Sequence, residues 1–124
     1  MTENCSELLK IIEARALKRG TFTLASGQTA NFYLDAKQVV LDSYGAMLVG
    51  KVILERLQSF GELPEAIGGM SIGADPITGA VVTIAGTAGL PLKGFMVRKE
   101  PKGHGMQRYL SLIHISEPTR RRGI

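Results

Sequence analysis

Between Glu7 and Lys18 the apolar residues Leu8, Leu9, Ile11, Ile12, Ala16 and Leu17 recur at helical spacing, with Gly20 following as a stop. An amphipathic helix is predicted there. The period then changes: Thr21-Phe22-Thr23-Leu24 and Asn31-Phe32-Tyr33-Leu34 are β-prone runs, and the segment Ala25 to Thr29 between them has turn composition with Gly27 at its centre. This predicts a β-hairpin. Asp42 and Ser43 can cap a second helix to about Gln58, whose Met47, Leu48, Val52, Leu54 and Leu57 face a core; Gly61 and Pro64 end it.

Ala66-Ile67-Gly68-Gly69 reads as a short buried strand entering a Gly-rich turn. Asp75-Pro76 then opens a helix of small residues, since proline suits a first helical turn, and Lys93 to Val97 is the next strand. Strand, helix, strand at this spacing is a βαβ unit, whose strands are parallel and joined by a right-handed crossover. The expected fold class is α/β. Gly79, Ala80, Ala85, Gly86, Ala88 and Gly89 would let the crossover helix lie close to the sheet. No internal repeat or low-complexity stretch interrupts the pattern.

A chain of 124 residues has room for one domain with a modest core. With 44% hydrophobic and 21% charged residues the composition is that of an ordinary globular protein. The single Cys5 excludes an internal disulfide, and the polar start Met1-Thr2-Glu3-Asn4 lacks the basic region of an export signal, so a cytoplasmic location is expected. The most apolar stretch, Ala80 to Leu90, is interrupted by Thr83, Gly86, Thr87 and Gly89 and falls short of the ~20 residues that span a bilayer. No membrane segment is expected. Half of the net charge of +4 comes from Arg120, Arg121 and Arg122 offset by Glu117, and the mild remainder fits a site for small anions as well as it fits a nucleic-acid surface.

The densest chemistry is Val97-Arg98-Lys99-Glu100-Pro101-Lys102-Gly103-His104-Gly105, directly after the second parallel strand. Ligands of open parallel sheets bind beyond the carboxyl ends of strands, so these cations stand where an anion would dock. Arg offers a bidentate fork, Lys a compact charge and His a proton near neutrality, a set suited to phosphate or pyrophosphate. The alternative is a solvated basic loop; the location and the Gly/Pro pattern favour the clamp. Elsewhere, His114 has no Cys or second His at metal-ligand spacing, and Cys5 has no catalytic His nearby in sequence. Gly68 to Gly73 misses the spacing of a dinucleotide fingerprint, and a backbone cradle for pyrophosphate is the better reading.

The run Phe95 to Gly105 resembles the catalytic loop of the orotate phosphoribosyltransferase family. Two further runs agree with it in the same order: Phe22 to Gln28 followed by Phe32-Tyr33-Leu34-Asp35 is similar to the family's N-terminal hairpin, and Gly68 to Ile77 is similar to its first sheet turn. The resemblance covers about Leu8 to Leu110. It implies a partial type I phosphoribosyltransferase fold: a parallel sheet flanked by helices, with an N-terminal helix and β-hairpin, the later core strands missing. It also implies transfer of ribose 5-phosphate from phosphoribosyl pyrophosphate to orotate, with Mg²⁺ present, in pyrimidine biosynthesis by a homodimer. By the same likeness Arg98, Lys99, Lys102 and His104 bind phosphoribosyl pyrophosphate, Lys102 and His104 act in catalysis, and the loop closes over a partner subunit's site. Phe32 and Tyr33 correspond to the orotate-contacting pair; core packing of one of them is the competing role, because adjacent strand residues point to opposite faces.

Some members carry Lys where Ala25 stands and a Tyr-Lys pair where Ile72-Gly73 stand, and those contacts are not carried over. Asp35 and Lys37 are expected to play a structural part, paired with each other. After Leu110 the family continues into a strand ending in an acidic pair and a Thr/Gly-rich turn for the ribose 5-phosphate. Here Ser111 to Arg120 resembles translated sequencing-adapter read-through instead. The expectation is therefore a phosphoribosyltransferase part at 1–110, a non-native tail at 111–124, an open sheet edge, and no transferase activity of the chain as it stands. Two other readings remain: another purine or pyrimidine phosphoribosyltransferase or non-catalytic relative, which retention of Lys102 and His104 disfavours in its non-catalytic form, and a small basic nucleic-acid-binding module. The latter requires aromatics interleaved with the cations, and only Tyr109 is available.

Overall fold

The structure, a computed structural model, describes residues 2–98 and 110–112. Its first helix, α1 (Glu3–Ile11), is started by Thr2, whose hydroxyl accepts from the Cys5 amide at 3.2 Å and so satisfies one orphan donor of the first turn. The sequence places this helix at Glu7 to Lys18. It begins earlier, widens into one π-helical turn at Ile12–Ala16, and gives way to β1 (Leu17–Thr23). Strand pairing is the reason: the Ala16 carbonyl accepts from the Asp35 amide at 2.9 Å and Leu17 pairs with Leu34, so the ladder takes main-chain groups that another helical turn would need. Gly20, expected as a helix stop, lies inside β1 at φ 150°, within a bulge between Arg19 and Phe22.

The expected hairpin is present. β1 pairs antiparallel with β2 (Thr29–Leu34), and the connecting turn is closed by Leu24 N–H to Gln28 O at 2.7 Å and Gly27 N–H to Leu24 O at 2.9 Å. Gly27 takes φ 88°, a backbone that a Cβ disfavours. Leu24, Phe32, Tyr33 and Leu34 are all exposed on this hairpin.

A single turn not anticipated from sequence, α2 (Lys37–Val40), buries Val39 and Val40. One turn is too short for helical periodicity to show, and its two valines are β-prone. The next helix, α3 (Ser43–Ser59), is capped as expected: Asp42 Oδ2 accepts from the Gly45 amide at 3.0 Å and from Arg15 Nη1 at 3.1 Å. The Gly45 hydrogen bond and then the Arg15 charge hold the Asp42 carboxyl below the usual carboxylate range, against an opposing effect of burial. A depressed carboxyl stabilises the fold above its unfolded-state pKa, and that contribution is lost as pH falls through the folded value. Asp42→Asn, which keeps an acceptor but not the titration, is therefore expected to be less stable than wild type at neutral pH, with the gap in urea midpoint closing on acidification. A gap independent of pH would contradict the assignment.

β3 (Ala66–Met70) and β4 (Lys93–Val97) pair in parallel, from Ala66↔Lys93 to Met70↔Val97, and α4 (Asp75–Thr87) joins them and packs on both. The βαβ unit is thus as expected. Beyond it, β5 (Leu110–Leu112) pairs antiparallel with β4, from Val97↔Leu110 to Phe95↔Leu112. The edge of β4 that was expected to be open is paired with residues 110–112. Ladder hydrogen bonds use main-chain groups, so an exposed edge accepts a strand with little regard to its side chains.

The core lies among the helices. Ile11, Ala16, Val39, Val40, Leu48 and Val49 form its buried cluster, with Leu8, Ile12, Met47, Ile53 and Ile77 packed against it. α3 packs against α1 and α4, and α4 in turn meets the sheet. Among the described residues no helix is long and apolar enough to cross a membrane.

Candidate functional site

The parallel register sets the carboxyl ends of β3 and β4 side by side, because Met70 lies opposite Val97. From there the chain leaves β3 through the turn Ser71–Ala74 into α4, and leaves β4 at Arg98. The Ser71 amide donates to the Val97 carbonyl at 2.9 Å, which ties the turn to the base of the basic segment. Within the turn, Ala74 N–H donates to Met70 O at 3.0 Å and Asp75 N–H to Ile72 O at 3.1 Å, and the amides of Ile72 and Gly73 have no backbone acceptor among the described residues. The Ser71–Ile72 peptide is cis.

Two features make this turn open to a ligand. A Cβ placed on Gly73 would meet nothing within 4 Å, and Ile72 is 83% exposed. Amides at the start of α4, combined with the helix dipole, favour an anion there. Ser71 Oγ donates to Asp75 Oδ1 at 3.1 Å, a contact that the sequence reading missed, although its i, i+4 spacing at a helix entrance was a usable signal.

Arg98 is exposed at the carboxyl end of β4, as the sequence reading placed it. Lys99, Lys102 and His104 lie outside the described residues. Val97 and Leu110 are opposite each other in the antiparallel pair, so β4 ends and β5 begins at facing positions.

The hairpin forms a separate group. Phe32 and Tyr33 are 50% and 47% exposed, so core packing accounts for neither. Tyr33 stands opposite Lys18, and its ring lies 5.9 Å from that of Phe22 at an interplanar angle of 41°. Phe32 stands opposite Arg19. Among the helices and strands, the hairpin meets the body through the π-helical turn that leads into β1. The expected Asp35–Lys37 pairing is replaced by Gln38 Nε2 donating to Asp35 Oδ2 at 3.1 Å, a local contact that fixes the entry to α2. Cys5, half-buried on α1, has no role in either group.

No family model matches the chain. Over 103 residues it is 55% identical to the orotate phosphoribosyltransferase of Rhodopirellula baltica, covering 80% of this chain and 53% of that protein. Over 107 residues it is 41% identical to the orotate phosphoribosyltransferase of Aquifex aeolicus, covering 84% and 57%. Its fold superposes on the crystal structure of Mycobacterium tuberculosis orotate phosphoribosyltransferase with a TM-score of 0.71 and 29% identity, covering 92% of this chain and 62% of that one. The chain thus spans a little over half the length of these relatives, and what it carries is a partial type I phosphoribosyltransferase fold. On the order of its motifs, the geometry of its sheet turn and this kinship, the chain belongs to the orotate phosphoribosyltransferase family.

Proposed function

We propose that the protein acts as an orotate phosphoribosyltransferase in pyrimidine biosynthesis, and that this chain supplies its pyrophosphate turn, its basic loop and its base-binding hairpin. The observation that carries the reading is the Ser71 N–H to Val97 O bond, which sets an open helix-entry turn beside the root of the basic segment in a chain with this kinship. In the reaction the bond from the ribose anomeric carbon to pyrophosphate breaks as the base nitrogen bonds to that carbon. Negative charge gathers on the departing pyrophosphate, so preorganised donors and cations aimed at it lower the barrier.

The amides of the β3–α4 turn and the Arg98 guanidinium are the described groups suited to that charge. Lys99, Lys102 and His104 would join them from the loop, with Lys102 carrying most of the effect on rate. Loop closure over the site of a partner subunit in a homodimer would exclude water from the cationic ribose centre. Among the described residues no group of three His, Cys, Asp or Glu side chains could hold a metal ion. In this reading Mg²⁺ would arrive with phosphoribosyl pyrophosphate and would offset part of its negative charge. The proposed setting is the cytoplasm.

The test is base selection. The protein in its full length, given phosphoribosyl pyrophosphate and Mg²⁺, is expected to consume orotate in preference to uracil, adenine or hypoxanthine, with one pyrophosphate released per base. Consumption of a purine instead would overturn the reading.

A further inference from the structure

We infer that the base meets the hairpin on the face of Lys18, Phe22 and Tyr33, and that Lys18 supplies the positive charge that selects an acidic, planar base. The inference rests on the function proposed above. Adjacent strand residues point to opposite faces, so Phe32 and Tyr33 do not present their rings to one ligand. The structure separates them: Tyr33 pairs with Lys18, and Phe32 with Arg19. Tyr33, Phe22 and Lys18 line a single depression of about 470 Å³ together with Thr23, Leu24 and Ala25, and Phe32 is not among its lining residues.

The chemistry of that depression is amphipathic. The Phe22 and Tyr33 rings, 5.9 Å apart and tilted by 41°, offer an apolar wall on which one ring can meet the face of a planar heterocycle. Ala25 leaves room at the turn end, and Lys18 is the cation at the other. Among the described residues no carboxylate pairs with Lys18, so its ammonium is available to a ligand. A carboxylate on the ring would receive a charge-assisted hydrogen bond; a neutral pyrimidine would not. Lys18 is therefore a specificity-determining residue, and Phe32 contributes to the opposite face.

The experiment is a titration of the isotope-labelled 124-residue chain with orotate, and with uracil as its counterpart lacking the carboxylate. It uses wild type, Lys18→Met and Lys18→Arg; Lys18 is exposed, and the amide spectrum checks that each variant is folded. Orotate is expected to shift the amides of Lys18, Phe22 to Ala25 and Tyr33. Lys18→Met is expected to weaken orotate about tenfold while leaving uracil unchanged, and Lys18→Arg to retain most of the affinity. Orotate binding that is equal in wild type and Lys18→Met would overturn this inference alone. Absence of orotate binding to all three forms would overturn the base-binding reading on which it rests.

Discussion

Valine in place of Gly68 is expected to remove the folded state of the sheet and, with it, the anion turn. A Cβ at Gly68 would collide with the carbonyl oxygen of Phe95, its partner in the parallel register, and would lie 2.5 Å from Cδ2 and 2.7 Å from Cε2 of the Phe95 ring. The ring can turn aside, but the carbonyl belongs to the backbone of the adjacent strand. Overpacking of this kind costs about 1–3 kcal/mol or more, a large share of the marginal stability of a small domain. The check is a urea titration of Gly68→Val beside the double variant Gly68→Val with Phe95→Ala. Removing the ring is expected to restore little, because the carbonyl clash remains. A single variant with the wild-type midpoint would show that the strands are spaced otherwise than described.

Alanine in place of Lys102 is expected to lower turnover by about 10²–10³, the cost of deleting one preorganised group that meets charge only as it develops. The kinetic signature matters as much as the size. The effect should fall on kcat and on kcat/KM for orotate alike, because the role proposed for Lys102 is toward the departing pyrophosphate and not the base. The measurement is steady-state kinetics of the protein in its full length. A rise in orotate KM with kcat preserved would place Lys102 in ground-state binding of the base and remove it from the chemical step.

The fold was legible in sequence wherever a local signal and the tertiary outcome agree. Asp42 heads α3 because a carboxylate ahead of a helix-periodic run can accept from an orphan first-turn amide, here that of Gly45, and Pro76 marks α4 for an equally local reason. The parallel pairing of β3 with β4 followed from one intervening helix. Where long-range pairing decides, the reading slipped. Leu17 and Lys18 continue the helical period of α1, yet they belong to β1, because Leu34 and Tyr33 on β2 claim them. Likewise the pairing of β5 with β4 joins positions far apart in sequence, which no local signal announces.

The site divides in the same way. The location of Arg98 at the end of β4 followed from strand order, and the turn at Ser71–Ala74 from its glycines. Which of Phe32 and Tyr33 shares a depression with Lys18 did not follow, because the bulge between Arg19 and Phe22 shifts the register and no composition signal announces it. The Ser71–Asp75 hydrogen bond was readable from spacing alone, and the Phe22–Tyr33 ring contact was not, since it crosses between strands.

The central claim is that the β3–α4 turn and the root of the β4 segment form one anion site. Its most direct test is a titration of the isotope-labelled 124-residue chain with phosphoribosyl pyrophosphate and Mg²⁺, read amide by amide. The account predicts shifts concentrated at Ser71 to Thr78 and at Val97 and Arg98, with the groove between α1 and α3 that Thr2, Cys5, Val52 and Arg56 line unmoved. Shifts centred on that groove, or none at the turn while the fold is intact, would contradict it.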